Sequence, residues 1–463
     1  MTLIKSISGI CGTIGGEVSN NLTPLDTVKF AAAYGMWLKD RHAQKNRLKV
    51  VIGRDARISG KMISSLVSNT LIGLGIDVVD AGLSTTPTVE IAVTLEKADG
   101  GIIITASHNP KQWNALKLLN EKGEFLNAKE GEKILNIADS DDFKFAFVDD
   151  LGSYSKKQDF IEKHINKVLA LDLVAIEAIQ KARFKVVVDG VNSTGGIAIP
   201  ALLDKLGVKT IKLYCEPTGE FPHNPEPLEE NLKDISDMVI SEKADLGFVV
   251  DPDVDRLAIV NEDGSMFGEE YTLVACADYV LSKTPGNTVS NLSSSRALRD
   301  ITVKHGGKYT ASAVGEVNVV EEMKNTKAVI GGEGNGGIIY PASHYGRDSL
   351  VGVALFLSHL AHSKLSCKEL RATYPAYYMS KNKIQLTSEI NVDSILKEMS
   401  NRYKYEKVNT IDGVKIDFEK EWVHLRKSNT EPIIRIYTES TSPEKAIALA
   451  QKIMKEIQEI TSN

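Results

Sequence analysis

A chain of 463 residues, 42% hydrophobic and 25% charged, has the composition of an ordinary folded protein and exceeds what one hydrophobic core organises, so three or four domains are expected. Its 55 basic against 61 acidic residues give a net charge of −6, which excludes a general affinity for nucleic acid or an anionic membrane. An anionic small substrate must then be gripped by local clusters of Arg and Lys.

No stretch reaches the ~20 apolar residues of a spanning helix, and the polar N-terminus lacks an apolar leader, so a cytoplasmic protein without membrane or nucleic-acid partners is expected. Cys11, Cys215, Cys276 and Cys367 form no CxxC or zinc-like spacing, which fits a reduced compartment. Along the chain, Thr23-Pro24 supplies an N-cap and a first-turn proline for a helix over Leu25–Leu38. Short apolar, β-branched runs at Leu48–Gly53, Gly101–Thr105, Phe184–Asp189, Gly247–Asp251 and Ala328–Gly332 read as buried strands. They alternate with longer helical patterns, which implies α/β layers. Three of them run into loops rich in Ser, His, Asp, Glu or Gly, so three similar units are expected. Ser442-Pro443 opens a last helix, Glu444–Ile460, whose stripe Ile447, Ile453, Ile457 and Ile460 is expected to pack on strands Val423–Leu425 and Pro432–Tyr437. Domain boundaries are expected to give segments 1–152, 153–261, 262–370 and 371–463.

Five segments carry chemistry. Gly53-Arg54-Asp55-Ala56-Arg57 is an Arg-rich strand end whose expected role is a structural Arg–Asp pair. Thr105-Ala106-Ser107-His108-Asn109-Pro110 follows a strand, where open sheets present functional groups, and Ser107 is either a nucleophile or a turn residue bonded to backbone. In Asp251-Pro252-Asp253-Val254-Asp255-Arg256 three carboxylates at alternating positions suit a hard divalent cation, with a solvated acidic turn as the alternative. An EF-hand fails there, because Arg256 takes the place of the required glycine and Leu257–Val260 continues as a strand. The glycine-dense Gly331–Gly337 carries Glu333 and Asn335, which suit sugar hydroxyls or a tight turn equally. Arg426-Lys427-Ser428-Asn429-Thr430-Glu431-Pro432, with Arg435 beyond, has the composition of a phosphate cradle or of a solvated basic turn.

In this order and spacing the segments resemble the α-D-phosphohexomutase superfamily over essentially the whole chain. The resemblance implies three related mixed α/β domains and a smaller α+β C-terminal domain around one central cleft. It implies that Ser107 is the phosphoserine and Lys117, ten residues on, the general base, with His108 and Arg256 beside them. Mg²⁺ would be held by Asp251, Asp253 and Asp255 with the phosphate on Ser107. Glu333 and Asn335 would read the sugar, and Arg426, Ser428, Asn429, Thr430 and Arg435 would hold the phosphate distant from the chemistry. The implied reaction moves a phosphoryl group between O6 and O1 of an aldohexose through a hexose 1,6-bisphosphate, which serves as intermediate and activator, in a monomer or homodimer whose last domain closes.

Phosphoryl transfer asks for positioning and charge compensation, and three Asp with a dianionic phosphoserine carry about −5 against +2 from the metal. Arg256, Lys117 and His108 are the expected cations, and Lys117 serves as a base only with a lowered pKa. Two departures stand out. Ser8-Gly9-Ile10-Cys11-Gly12-Thr13 resembles a family segment with an arginine where Cys11 stands, so turnover is weaker or another cation, Arg54 or Arg256, covers the gap; and Gly337 replaces the histidine of one branch. Glucosamine 6-phosphate is the expected substrate, with mannose and glucose phosphates as rivals. An aspartyl-phosphate phosphotransferase, fitting the DxDxV pattern at Asp251, and a non-catalytic sugar-phosphate-binding protein are the readings of other classes.

Overall fold

Thr23 opens the first helix, Pro24–Arg41, as its sequence predicts: its side chain accepts the Asp26 amide while the Asp26 carboxylate accepts the Thr23 amide. The computed structural model describes residues 2–6, 9–385, 391–427 and 433–462. They form two compact units, Met1–Thr272 with Gly336–Lys368, and Leu273–Asn335 with Glu369–Asn463.

The first unit holds two sheets built to one pattern. In the larger, strand Leu48–Arg54 lies between Ile76–Leu83 and Gly100–Ile104, all parallel, and Trp113–Leu119 adds on antiparallel to Gly100–Ile104. In the smaller, Lys185–Asp189 lies between Lys209–Leu213 and Leu246–Val250, all parallel, and Leu257–Asn261 adds on antiparallel to Leu246–Val250. The second unit repeats the parallel part, with Asn287–Asn291 between Tyr309–Ser312 and Ala328–Glu333. In each case the chemistry-bearing loop follows the third strand, so architecture repeats where residues do not. The central strands Gly100–Ile104 and Leu246–Val250 are buried throughout, which accounts for their continuous apolar sequence.

The C-terminal segment forms an antiparallel sheet in the order Tyr378–Gln385, Ile433–Ser440, Trp422–Lys427, Val414–Asp417, Lys407–Asn409. Helices Val392–Arg402 and Pro443–Ser462 share a core with one face of it, including Val423, Leu425, Ile434, Ile436, Ile453 and Ile457. The chain is thus three related α/β units and a smaller antiparallel α+β domain, as expected. The expected stripe of the last helix needs one correction: Ile447 is exposed, and Ala446, Leu449 and Ala450 join Ile453 and Ile457 inside. At about 100° per residue, Ile447 lies roughly 120° around the helix from Ile453. Among the described residues no helix is long and apolar enough to cross a membrane.

Candidate active site

Arg57 builds the serine loop. Its guanidinium is fully buried and pairs with Asp55 at 3.0 Å. Its remaining N–H groups donate to the carbonyls of Ser107 (2.5 Å), Asn109 (2.6 Å), Pro110 (2.7 Å) and Trp113 (3.0 Å). Asp55 also accepts from Thr105 Oγ1, which in turn accepts the Ser107 amide. Held from both sides, Ser107 sits at φ 49°, a left-handed conformation that a non-glycine residue adopts at a cost. The expected Arg–Asp pair is therefore present, and it is formed by Arg57 rather than Arg54.

The acid loop turns the same way. Val254 has φ 66°, costly for a β-branched residue, and this turn brings Asp251, Asp253 and Asp255 together, each fully buried, with one ligand oxygen apiece within 4.8 Å of the others. Ser107 Oγ donates to Asp251 Oδ2 at 2.7 Å, while Asp251 Oδ1 accepts the amides of Asp255 and Arg256. Asp253 Oδ2 accepts from Lys117 Nζ (2.8 Å) and Thr86 Oγ1 (2.6 Å), and Asp255 Oδ2 accepts from Arg347 Nη2 (2.7 Å). The other oxygens, Asp253 Oδ1 and Asp255 Oδ1, are buried and have no hydrogen-bond partner among the described residues. Buried carboxylate oxygens without partners are costly, and a hard cation answers that cost. Oxygens around a hard cation at about 2.1 to 2.4 Å lie roughly 3 to 4.8 Å apart, so the cluster suits a hard divalent cation such as Mg²⁺.

Charge sorts these groups. Burial, together with the charges of Asp255 and Asp253, pushes the Asp251 carboxyl well above the usual range. Burial would raise Asp253 too, but the Lys117 ammonium outweighs it and holds Asp253 low. For Lys117, burial is outweighed by Asp253 and Asp255, and its pKa is raised, so it is an ammonium here and not the lowered amine that a base requires. His108, expected as a cation, is neutral: burial and then the Arg256 charge push it down to about 2. Its Nδ1 lies 3.4 Å from Ser107 Oγ, and Arg256 pairs with Glu226 at 3.3 Å.

The sugar and phosphate candidates belong to the second unit. Glu333 is buried, and its Oε1 accepts from Asn291 Nδ2 (2.8 Å) and the Gly315 amide (3.1 Å); Asn335 is half-buried. Arg426 pairs through Nε with Asp412 at 2.9 Å, and the same carboxylate accepts the Val314 amide. Arg435 is exposed and stands directly opposite Arg426 in the sheet. Ser428, Asn429 and Thr430 lie outside the described residues.

Comparison with known proteins matches the four phosphoglucomutase/phosphomannomutase domains in sequence: α/β/α domain I over 6–145, domain II over 162–264, domain III over 268–377 and the C-terminal domain over 383–456. The chain belongs to the phosphoglucomutase/phosphomannomutase family. A phosphoglucomutase/phosphomannomutase of Thermococcus kodakarensis is 36% identical, over 96% of this chain and 98% of its own. A phosphoglucosamine/phosphogalactosamine mutase of Sulfurisphaera tokodaii is 32% identical, over 96% of this chain and 98% of its own. The crystal structure of a family protein from Burkholderia thailandensis superposes with a TM-score of 0.85 at 25% identity, covering 100% of this chain and 98% of that one. The protein is thus an α-D-phosphohexomutase, an intramolecular phosphotransferase.

Several residues of the candidate site escape sequence reasoning. Thr86 and Arg347 hold Asp253 and Asp255 from 167 and 92 residues away, and nothing in their local sequence marks them. Cys11, opposite Ala115 and two positions along from Lys117, stays a thiol whose pKa burial pushes up to about 11 against the charges of Lys117 and Arg57. Both of those cations are already engaged, Lys117 with Asp253 and Arg57 with Asp55 and the loop carbonyls. Arg54 is bonded to the Asp55 carbonyl, and Arg256 is paired with Glu226.

Proposed function

We propose that the enzyme interconverts hexose 6- and 1-phosphates through phospho-Ser107 and a hexose 1,6-bisphosphate, with glucosamine 6-phosphate as substrate. The observation that carries the reading is Ser107 Oγ at 2.7 Å from Asp251 in a buried carboxylate triad. The amino-sugar preference rests on the Sulfurisphaera relative's name, and the Thermococcus name keeps glucose and mannose phosphates as rivals.

The first transfer breaks the phosphorus–oxygen bond of phospho-Ser107 and forms one to the sugar's free O1. Lys117, an ammonium while it is paired with Asp253, must part from that carboxylate and give its proton to the leaving Ser107 Oγ; the resulting amine takes the sugar hydroxyl proton and the ammonium is restored. The bisphosphate then presents its O6 phosphate, and the reverse transfer restores phospho-Ser107. A Mg²⁺ ion held by Asp251, Asp253, Asp255 and a phosphate oxygen on Ser107 would supply charge neutralisation at phosphorus. Arg57 keeps the serine backbone fixed, Arg347 and Thr86 orient two of the carboxylates, and Arg256 adds positive charge beside neutral His108. Glu333 and Asn335 bond sugar hydroxyls, while Arg426 and Arg435, with Ser428, Asn429 and Thr430, grip the other phosphate in either orientation of the intermediate. An aspartyl nucleophile fits less well, since both oxygens of Asp251 are already engaged.

The test is a coupled mutase assay with glucosamine, mannose and glucose 6-phosphates. Glucosamine 6-phosphate should give the highest kcat/KM, and Ser107→Ala should lose at least about a thousandfold. Full activity in Ser107→Ala would end the phosphoserine reading. Cys11→Arg should raise kcat/KM about tenfold, as one added charge-assisted bond to phosphate allows.

A further inference from the structure

Behind the acid loop lies a second cluster: buried Glu90, His164 and Asp348 with half-buried His344, from three segments of the first unit. His344 presents each ring nitrogen to a carboxylate, Nε2 to Asp348 Oδ2 at 3.1 Å and Nδ1 to Glu90 Oε2 at 3.2 Å. The Nε2 contact is a hydrogen bond and the Nδ1 contact an ion-pair distance, and a carboxylate at each ring nitrogen favours the imidazolium. His164 differs: its Nε2 lies 2.8 Å from the same Asp348 oxygen, but its Nδ1 faces the Thr88 hydroxyl at 2.9 Å, so one ring proton suffices. Asp348 uses its other oxygen to cap helix Ser349–Ser363 through the amides of Leu350 and Val351.

Both carboxylates belong to segments that touch the metal-loop aspartates. Glu90 lies one helical turn from Thr86 in helix Thr86–Leu95, and Thr86 binds Asp253 through both hydroxyl and amide. Asp348 follows Arg347, which binds Asp255. The loop carrying His344 passes so close to Glu90 that a Cβ on Gly346 would stand 1.9 Å from Oε2, a contact only glycine avoids.

We infer that His344 is a positioning residue for cation binding: as an imidazolium it clamps Glu90 to Asp348, and so holds Thr86 and Arg347 on the two carboxylates, Asp253 and Asp255, that have an oxygen without a hydrogen-bond partner among the described residues. The inference rests on the reading that the Asp triad binds a divalent cation. Groups that orient ligands from behind are worth about ten- to a hundredfold in metal affinity.

The experiment measures Mn²⁺ binding by calorimetry to the wild-type chain, His344→Gln, the double variant Glu90→Gln/His344→Gln and Asp251→Asn, with thermal unfolding and KM for sugar phosphate alongside. His344→Gln should weaken Mn²⁺ binding at least about tenfold at a temperature where it is folded, with KM unchanged. The double variant, which removes one charge from each side, should recover part of the loss. Wild-type Mn²⁺ affinity in a folded His344→Gln overturns the inference and leaves the triad's reading intact. No Mn²⁺ binding by wild type, or binding unaffected by Asp251→Asn, removes both. Tightly held zinc in the purified wild type that disappears in His344→Gln also overturns the clamp, because His164, His344 and Asp348 would then be metal ligands.

Discussion

Arg426 and Arg435 stand directly opposite each other on strands Trp422–Lys427 and Ile433–Ser440, and Lys383 stands opposite Arg435 on strand Tyr378–Gln385. Three cations thus form one row on one face of the sheet, and among the described residues only Arg426 has a carboxylate partner, Asp412. Like charges directly across a strand pair cost a few tenths of a kcal/mol, and a bound phosphate reverses the sign. Arg435→Gln should therefore make the free protein slightly more stable while raising KM for sugar phosphate about tenfold or more. Thermal unfolding with and without inorganic phosphate checks both halves: phosphate should stabilise wild type and do little for the variant. A variant that loses stability in the free state would show that Arg435 serves the fold.

The carboxylate triad makes a second expectation. Burial and the charges of Asp255 and Asp253 disfavour the charged form of Asp251 and outweigh the opposing charge of Arg256. Adding Mg²⁺ at about a hundred times its Kd should stabilise the folded chain by about 2.7 kcal/mol, and chelation should remove that increment. Asp251→Asn should lose the Mg²⁺ effect without losing stability in its absence, since it relieves repulsion among three buried carboxylates. Calorimetric scans with Mg²⁺ and with EDTA decide it; equal Mg²⁺ stabilisation in wild type and variant would remove Asp251 from the ligand set.

Arg57 gives the third. Its fork makes one carboxylate bond and four carbonyl bonds, and a lysine has three donors on one nitrogen and no planar geometry. Arg57→Lys should cost about 3 kcal/mol, leaving buried carbonyls unpartnered, and should free the loop that holds Ser107 in its left-handed conformation. Urea unfolding measures the first effect. Hydrogen exchange across residues 106–113 measures the second, and protection equal to wild type would contradict it.

How much of this was legible in the sequence follows from distance along the chain. The N-cap at Thr23, the serine loop and the Asp251–Arg256 loop were readable because their logic spans a few consecutive residues. The same holds for the Asp55–Arg57 pair, two residues apart. Thr86, Arg347, Glu90 and His344 were silent because each acts on residues brought near only by folding: Arg347 meets Asp255 across 92 positions. Ionisation states were the least readable. His108 and Lys117 adopt states set by burial and by Arg256, Asp253 and Asp255: the cation expected at His108 is neutral, and Lys117 is an ammonium without the lowered pKa that a base needs.

The His344 clamp predicts a pH dependence. Burial would lower the His344 pKa, but hydrogen bonds and charge from Asp348 and Glu90 outweigh it and push the pKa up to about 9, against an ordinary 6.5. The folded chain thus binds one more proton than the unfolded chain between these values. The associated stabilisation, about 3 kcal/mol, is complete below pH 6.5 and is lost as pH rises through about 9. Other groups face the same cluster. Asp348 is held well below the usual carboxylate range, His164 donates to it, Arg347 next to it in the chain bonds Asp255, and Lys167 is lowered by burial against the Asp348 charge, so its own contribution has the opposite sign. Comparison with His344→Gln isolates the one titration. Urea midpoints between pH 6.5 and 9.5 should fall more steeply for wild type than for the variant, and the two should converge at the alkaline end. Parallel profiles would mean that His344 is neutral in the folded protein, and the two carboxylates would then need another source of positive charge.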